Sequence, residues 1–164
     1  MFKKFPFQLL FVAVLSLAMF QNCKKKEDTP PANVITDTGG LKVTLTYTNG
    51  TPANDIDMFL YQNPYSASSV SVAGSNGTSS TESFELKPSS PLLSNGDYTL
   101  SAKYYEGATA NNYTITFSGI AVPSRSYTIN GTFAAGLPAD NTYGSLRRNN
   151  IKLTKVTDTY TITP

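Results

Sequence analysis

From Leu41 onward apolar residues recur at every second position, the period of a strand that buries one of its two faces. Leu41, Val43, Leu45 and Tyr47 interleave with Lys42, Thr44, Thr46 and Thr48, and Asn49-Gly50 closes the run. Ile56, Met58 and Leu60 alternate with Asp55, Asp57, Phe59 and Tyr61, which predicts a second strand with its aliphatic side inward. Val70 and Val72, then Phe84 and Leu86, then Tyr98, Leu100, Ala102 and Tyr104, then Tyr113, Ile115 and Phe117 carry four more, separated by turn residues such as Gly74-Ser75-Asn76-Gly77 and Asn95-Gly96. Tyr127, Ile129 and Phe133, then Ile151 and Leu153, then Tyr160 and Ile162 continue the pattern to the end. Past the N-terminal segment no stretch repeats apolar residues at helical spacing, and a parallel sheet would need crossover helices. The prediction is an all-β fold, an antiparallel β-sandwich or jelly roll of roughly 8–10 strands.

The first residues follow another rule. Lys3 and Lys4 precede an apolar run from Phe5 to Phe20, broken by Pro6, Gln8 and Ser16. That order is a secretory n-region and h-region, and the run is shorter than the ~20 residues of a spanning helix. Gln21-Asn22 follow, then Cys23, the one cysteine of the sequence. Met19-Phe20-Gln21-Asn22-Cys23 resembles a bacterial lipobox, with Asn where the usual form has Gly or Ala before the cysteine. The resemblance implies a signal peptide over 1–22 and lipidation of Cys23, and acyl chains in pairs give the lasting attachment that one chain does not. A free thiol, or removal with an ordinary signal peptide, is the alternative. Lys24-Lys25-Lys26-Glu27-Asp28-Thr29-Pro30-Pro31 is polar and proline-bearing, so 23–38 reads as a flexible tether and 39–164 as one sandwich domain.

Composition narrows the chemistry. The 164 residues include no histidine, no tryptophan and one cysteine, which excludes histidine-dependent triads, histidine-ligated zinc or haem, and any internal disulfide. Of 13 Lys and Arg against 11 Asp and Glu, Lys3 and Lys4 leave with the signal, so the mature product is formally neutral. A neutral domain has no electrostatic footprint for nucleic acid. The tether lysines either lie against anionic head groups or are solvated.

Leu41-Lys-Val-Thr-Leu-Thr-Tyr47, a turn, and Asp55-Ile-Asp-Met-Phe-Leu-Tyr61 resemble the opening of the bacterial pre-peptidase C-terminal domain, in which a first strand is followed by an Asp-Leu-Asp-Leu type strand. Gly96-Asp97-Tyr98-Thr99-Leu100 and Tyr113-Thr114-Ile115-Thr116-Phe117 are similar to that family's closing Gly-x-Tyr turn and last strand. The resemblance covers roughly residues 40–118 and implies a compact jelly-roll module of the kind appended to secreted hydrolases, where it assists secretion or binds substrate.

The foremost candidate for chemistry is the pair Asp55 and Asp57, which a strand points to one side about 6–7 Å apart, with Asn54 beside them. Hard oxygen ligands of this kind suit Ca²⁺, above all if Asn95, Asp97 or Asp140 converge on them. The alternatives are carboxylates that accept backbone amides, or plain solvation. Tyr61, Tyr65, Tyr105 and Tyr143 stand at outward or loop positions beside Asn and Gln and form a candidate binding surface for sugars or protein, against ordinary cross-strand packing.

These readings converge on a non-enzymatic lipoprotein of the cell envelope, held in the membrane through Cys23 and binding a protein or glycan. Lys24 after the cysteine argues for the outer membrane. The alternative is an accessory structural subunit of a larger envelope complex, and a calcium-binding sandwich or a cryptic hydrolase stands behind both.

Overall fold

The computed structural model of the chain describes residues 31–48, 54–66, 68–106, 109–135 and 148–164. Cys23, Asp140 and Tyr143 lie outside the described residues.

Among the described residues ten strands follow in chain order: β1 (Val34–Thr36), β2 (Leu41–Tyr47), β3 (Asp55–Gln62), β4 (Ser71–Ser75), β5 (Thr81–Leu86), β6 (Gly96–Glu106), β7 (Asn111–Gly119), β8 (Ser126–Phe133), β9 (Arg148–Val156) and β10 (Thr159–Thr163). They form a six-stranded sheet in the order β1-β10-β9-β6-β3-β4 and a four-stranded sheet in the order β5-β2-β7-β8. Every pairing is antiparallel, so the molecule is an all-β sandwich.

The alternation read along the chain is the alternation of burial. Leu41, Val43 and Leu45 of β2 and Ile115 and Phe117 of β7 meet Ile56, Met58 and Leu60 of β3, Tyr98, Leu100 and Ala102 of β6, and Tyr160 and Ile162 of β10 in one core. Each such side chain contributes about 1.5–3 kcal/mol on leaving water, and the summed burial holds the two layers together. Aromatic contacts cross between the layers at one end: the Phe133 ring lies 5.5 Å from Tyr104 of the six-stranded sheet and 5.0 Å from Tyr113 of its own.

Two places differ from the sequence reading. β1 falls inside the stretch assigned to the tether: Ile35 is buried in the core and pairs with Tyr160. Val34-Ile35, one adjacent apolar pair, shows no alternation, and its partner strand lies at the other end of the chain. Val70 is exposed, and β4 starts one residue later, at Ser71.

The turn after β1 is fastened by Asp37, which is buried. Its carboxylate accepts the amides of Gly39 at 2.7 Å, Ala121 at 3.1 Å and Val122 at 2.8 Å, tying the β1–β2 turn to the β7–β8 turn. Burial pushes its pKa up, but those three amides together with Arg125 prevail and hold it below the ordinary value. A Cβ at Gly119 would collide with this carboxylate, which is why the end of β7 carries glycine.

β4 covers the outer edge of β3 only from Met58 to Tyr61. The Asp55–Asp57 end of β3 is therefore an edge, and on the β6 side the register shifts between Asp55 and Ile56. A bulge of this kind re-aims side chains.

Candidate functional site

At that edge the carboxylates of Asp55 and Asp57 meet Glu82 of β5. One oxygen from each of the three lies within 4.8 Å of the others. Glu82 belongs to the other sheet: it stands opposite Leu45 in the β2–β5 register, on the same face as Phe84 and the core residue Leu86. Asp57 stands opposite Lys103 of β6.

Two of these acids are buried. Glu82 is 3% exposed and Asp57 7% exposed. Neither oxygen of Glu82 has a hydrogen-bond partner, nor has Asp57 Oδ1. Burial first, then the neighbouring charge of Asp57, pushes Glu82 up to about 7; the Ser75 hydroxyl and the Gly77 amide lean against this rise without reaching hydrogen-bond geometry. Burial, then the Asp55 charge, pushes Asp57 up to about 6, with Lys103 opposing. The Lys103 ammonium is directed at Tyr61 Oη, to which it donates at 2.6 Å, and at the Phe59 ring, 4.3 Å from its centroid. Tyr47 completes the surroundings. Its hydroxyl is buried without a hydrogen-bond partner, and burial, followed by the charges of Asp55, Glu82 and Asp57, raises its pKa against the nearby Ile56 amide.

The other residues singled out in the sequence are placed differently. Asn54 is committed elsewhere: its Oδ1 accepts the hydroxyls of Tyr104 at 2.6 Å and Thr109 at 3.2 Å, and its Nδ2 donates to the Thr48 carbonyl at 3.3 Å. It links the start of β3 to the loops around it, and its oxygen is engaged by those two hydroxyls. Asp97 lies at the far end of β6, some 20 Å away along the strand, paired with Lys152 at 3.0 Å and Thr154 at 2.6 Å. Asn95 accepts the Thr157 amide at 2.8 Å. Neither converges on the aspartates.

The tyrosines divide. Tyr61 points to the outer face of its sheet yet is buried, with Tyr65 packed on it at 4.5 Å between ring centroids. Tyr65 is half-buried and Tyr105 is exposed. Tyr61 pairs with Thr99, six residues before Tyr105 on β6, about 20 Å along the strand, so Tyr61 and Tyr105 do not form one patch.

Glu82 was absent from the sequence reading, although the signal for it existed. Phe84 and Leu86 marked the inward parity of their strand, and counting two residues back puts a carboxylate on the inner face.

Chemically, three carboxylates with few donors around them can hold a hard cation or can share protons. Comparison of the chain with protein-family models, with curated proteins and with solved structures gives no match.

Proposed function

We propose that the chain is a lipid-tethered lipoprotein of the bacterial envelope, displayed from the outer membrane, whose sandwich is a non-catalytic module binding a protein or glycan. The observation that carries this reading is the placement of the sole cysteine, Cys23, directly behind a lysine-headed apolar segment of signal-peptide length. The resemblance of residues 40–118 to modules that accompany secreted hydrolases agrees with a binding role. Exposed Tyr105 and half-buried Tyr65 are the described members of the tyrosine set that remain accessible to a partner.

The test is lipid labelling in a bacterial host. The wild-type chain is expected to incorporate a labelled fatty acid and to partition into detergent, whereas Cys23→Ala is expected to do neither. Labelling of the alanine variant equal to wild type would overturn the anchor.

A second reading, an accessory subunit of an envelope complex, is favoured by β8. This edge strand of the four-stranded sheet, Ser-Tyr-Thr-Ile-Asn-Gly-Thr-Phe, has neither charge nor proline, the devices that keep an edge from pairing with another chain. A stoichiometric partner retained through membrane purification, and lost on Thr128→Pro, supports the subunit; a monomer that binds glycan or protein reversibly supports the module.

A further inference from the structure

We infer that Asp55, Asp57 and Glu82 form a binding site for one divalent hard cation, with calcium the best fit, and that Tyr47 borders it. The inference is independent of how the chain is anchored.

The site is assembled from both sheets. β3 brings two acids through its uncovered edge, and β5 brings the third from the inner face of the opposite layer. The common span of the three oxygens, 4.8 Å, fits within the diameter of a calcium coordination sphere, about 4.6–5.2 Å for bonds of 2.3–2.6 Å. Carboxylates are its preferred donors, and three of them acting singly or in pairs supply between three and six of its six to eight ligands, leaving positions for water. Asp55 is half-buried, so the cluster has a side facing solvent through which an ion enters.

A clustering of acids alone would say little. The second observation is the state of the groups around it. A glutamate 3% exposed, with both oxygens lacking a hydrogen-bond partner, is a configuration that proteins avoid unless something absent from the protein atoms satisfies it. The Tyr47 hydroxyl, on a residue 8% exposed, is likewise without a partner and close enough to feel all three charges. Tyr47 is not an acid and contributes nothing to the count of the cluster, yet its hydroxyl feels the same three charges. A bound cation with its waters satisfies the carboxylate oxygens and gives the phenol an acceptor together.

The cation also explains why an acid stands on the inner face of β5. Bridging β5 to β3 ties the four-stranded sheet to the six-stranded one at an end where β4 stops short. A cation there acts as a clasp between layers.

The experiment uses the full chain in detergent, stripped with chelator and titrated with calcium chloride alone, read by calorimetry and by melting temperature. One ion per chain, with a dissociation constant in the 10⁻⁴–10⁻³ M range of extracellular modules, and a saturable rise in melting temperature are expected. Glu82→Gln is expected to weaken binding at least tenfold, and Asp97→Asn, at the far end of β6, to leave it unchanged. In case Glu82→Gln fails to fold, terbium on the wild-type chain supplies a second readout: with no tryptophan present, tyrosine-sensitised emission that calcium displaces and that Tyr47→Phe diminishes places the ion beside Tyr47. No saturable calcium binding up to 10 mM overturns the inference, as does equal binding by folded Glu82→Gln. Calcium-displaceable terbium emission insensitive to Tyr47→Phe also overturns it. Proton uptake by the cluster without any calcium response would show that it shares protons instead.

Discussion

Replacing Glu82 by glutamine should stabilise the chelator-treated protein at neutral and alkaline pH, an unusual sign for a buried position. The reason is the displaced ionisation of this group. A carboxyl whose ordinary pKa is 4.5 and whose folded pKa is about 7 binds its proton more tightly in the native state than in the unfolded chain. Its stabilising effect is therefore complete below pH 4.5 and is lost as pH rises through 7. At about 1.4 kcal/mol per pH unit of displacement, the loss across that window comes to about 3.5 kcal/mol. Part of it depends on the Asp57 charge, which helps to raise the Glu82 pKa, so about 2–3 kcal/mol is the range to expect from Glu82 alone. Glutamine keeps the shape, never ionises, and can donate its amide to the neighbouring aspartates. Urea unfolding of both proteins in chelator from pH 4 to 8.5 is the measurement. Their curves should nearly coincide at the acid end and diverge steadily above pH 5, with the variant ahead by that amount at pH 8, or roughly 5–10 °C in melting temperature for a domain of this size. Parallel pH profiles, or a variant less stable than wild type at pH 8, would refute the account of a buried, donor-poor carboxylate.

Asp37→Ala leaves the amides of Gly39, Ala121 and Val122 without their acceptor; a loss of about 2–4 kcal/mol in chemical denaturation is expected. Because the Asp37 pKa lies below its ordinary value, its contribution is present above the unfolded pKa and disappears as acid brings the pH down through the folded one. The wild-type chain should thus lose more stability between pH 5 and 2 than the variant does. Ile35→Ala tests whether the first strand belongs to the sandwich: removal of this core side chain should cost about 2–4 kcal/mol, and an unchanged unfolding midpoint would return the segment to the tether. Tyr104→Phe deletes the hydroxyl that lies 2.6 Å from Asn54 Oδ1 and 2.8 Å from the Thr109 carbonyl, its one proton serving either acceptor, and should cost about 1–2 kcal/mol while leaving calcium affinity within twofold, since the proposed ligands are Asp55, Asp57 and Glu82.

What the linear pattern decided here is which side of each strand faces inward. Leu41, Val43 and Leu45, or Tyr98, Leu100 and Ala102, are buried because a pleated chain puts alternate residues on one face and only one face was apolar; nothing beyond neighbouring residues is needed to see this. The same local rule, carried back from Leu86 and Phe84, already put Glu82 inside. It did not say what Glu82 would meet. That depended on β4 ending at Ser75, opposite Met58, and on a register shift beside Asp55, features of how strands pair rather than of the alternation along one of them. Ile35 shows the limit from the other side, since the adjacent pair Val34-Ile35 has no alternating period and Ile35 gains its meaning only from Tyr160. Asn54 and Asp97, close to the paired aspartates in the sequence or alike in chemistry, were drawn off by Tyr104, Lys152 and Thr154, partners that only folding brings within reach. Burial is largely a local property of an alternating chain, whereas the meeting of three carboxylates is a property of two sheets laid together.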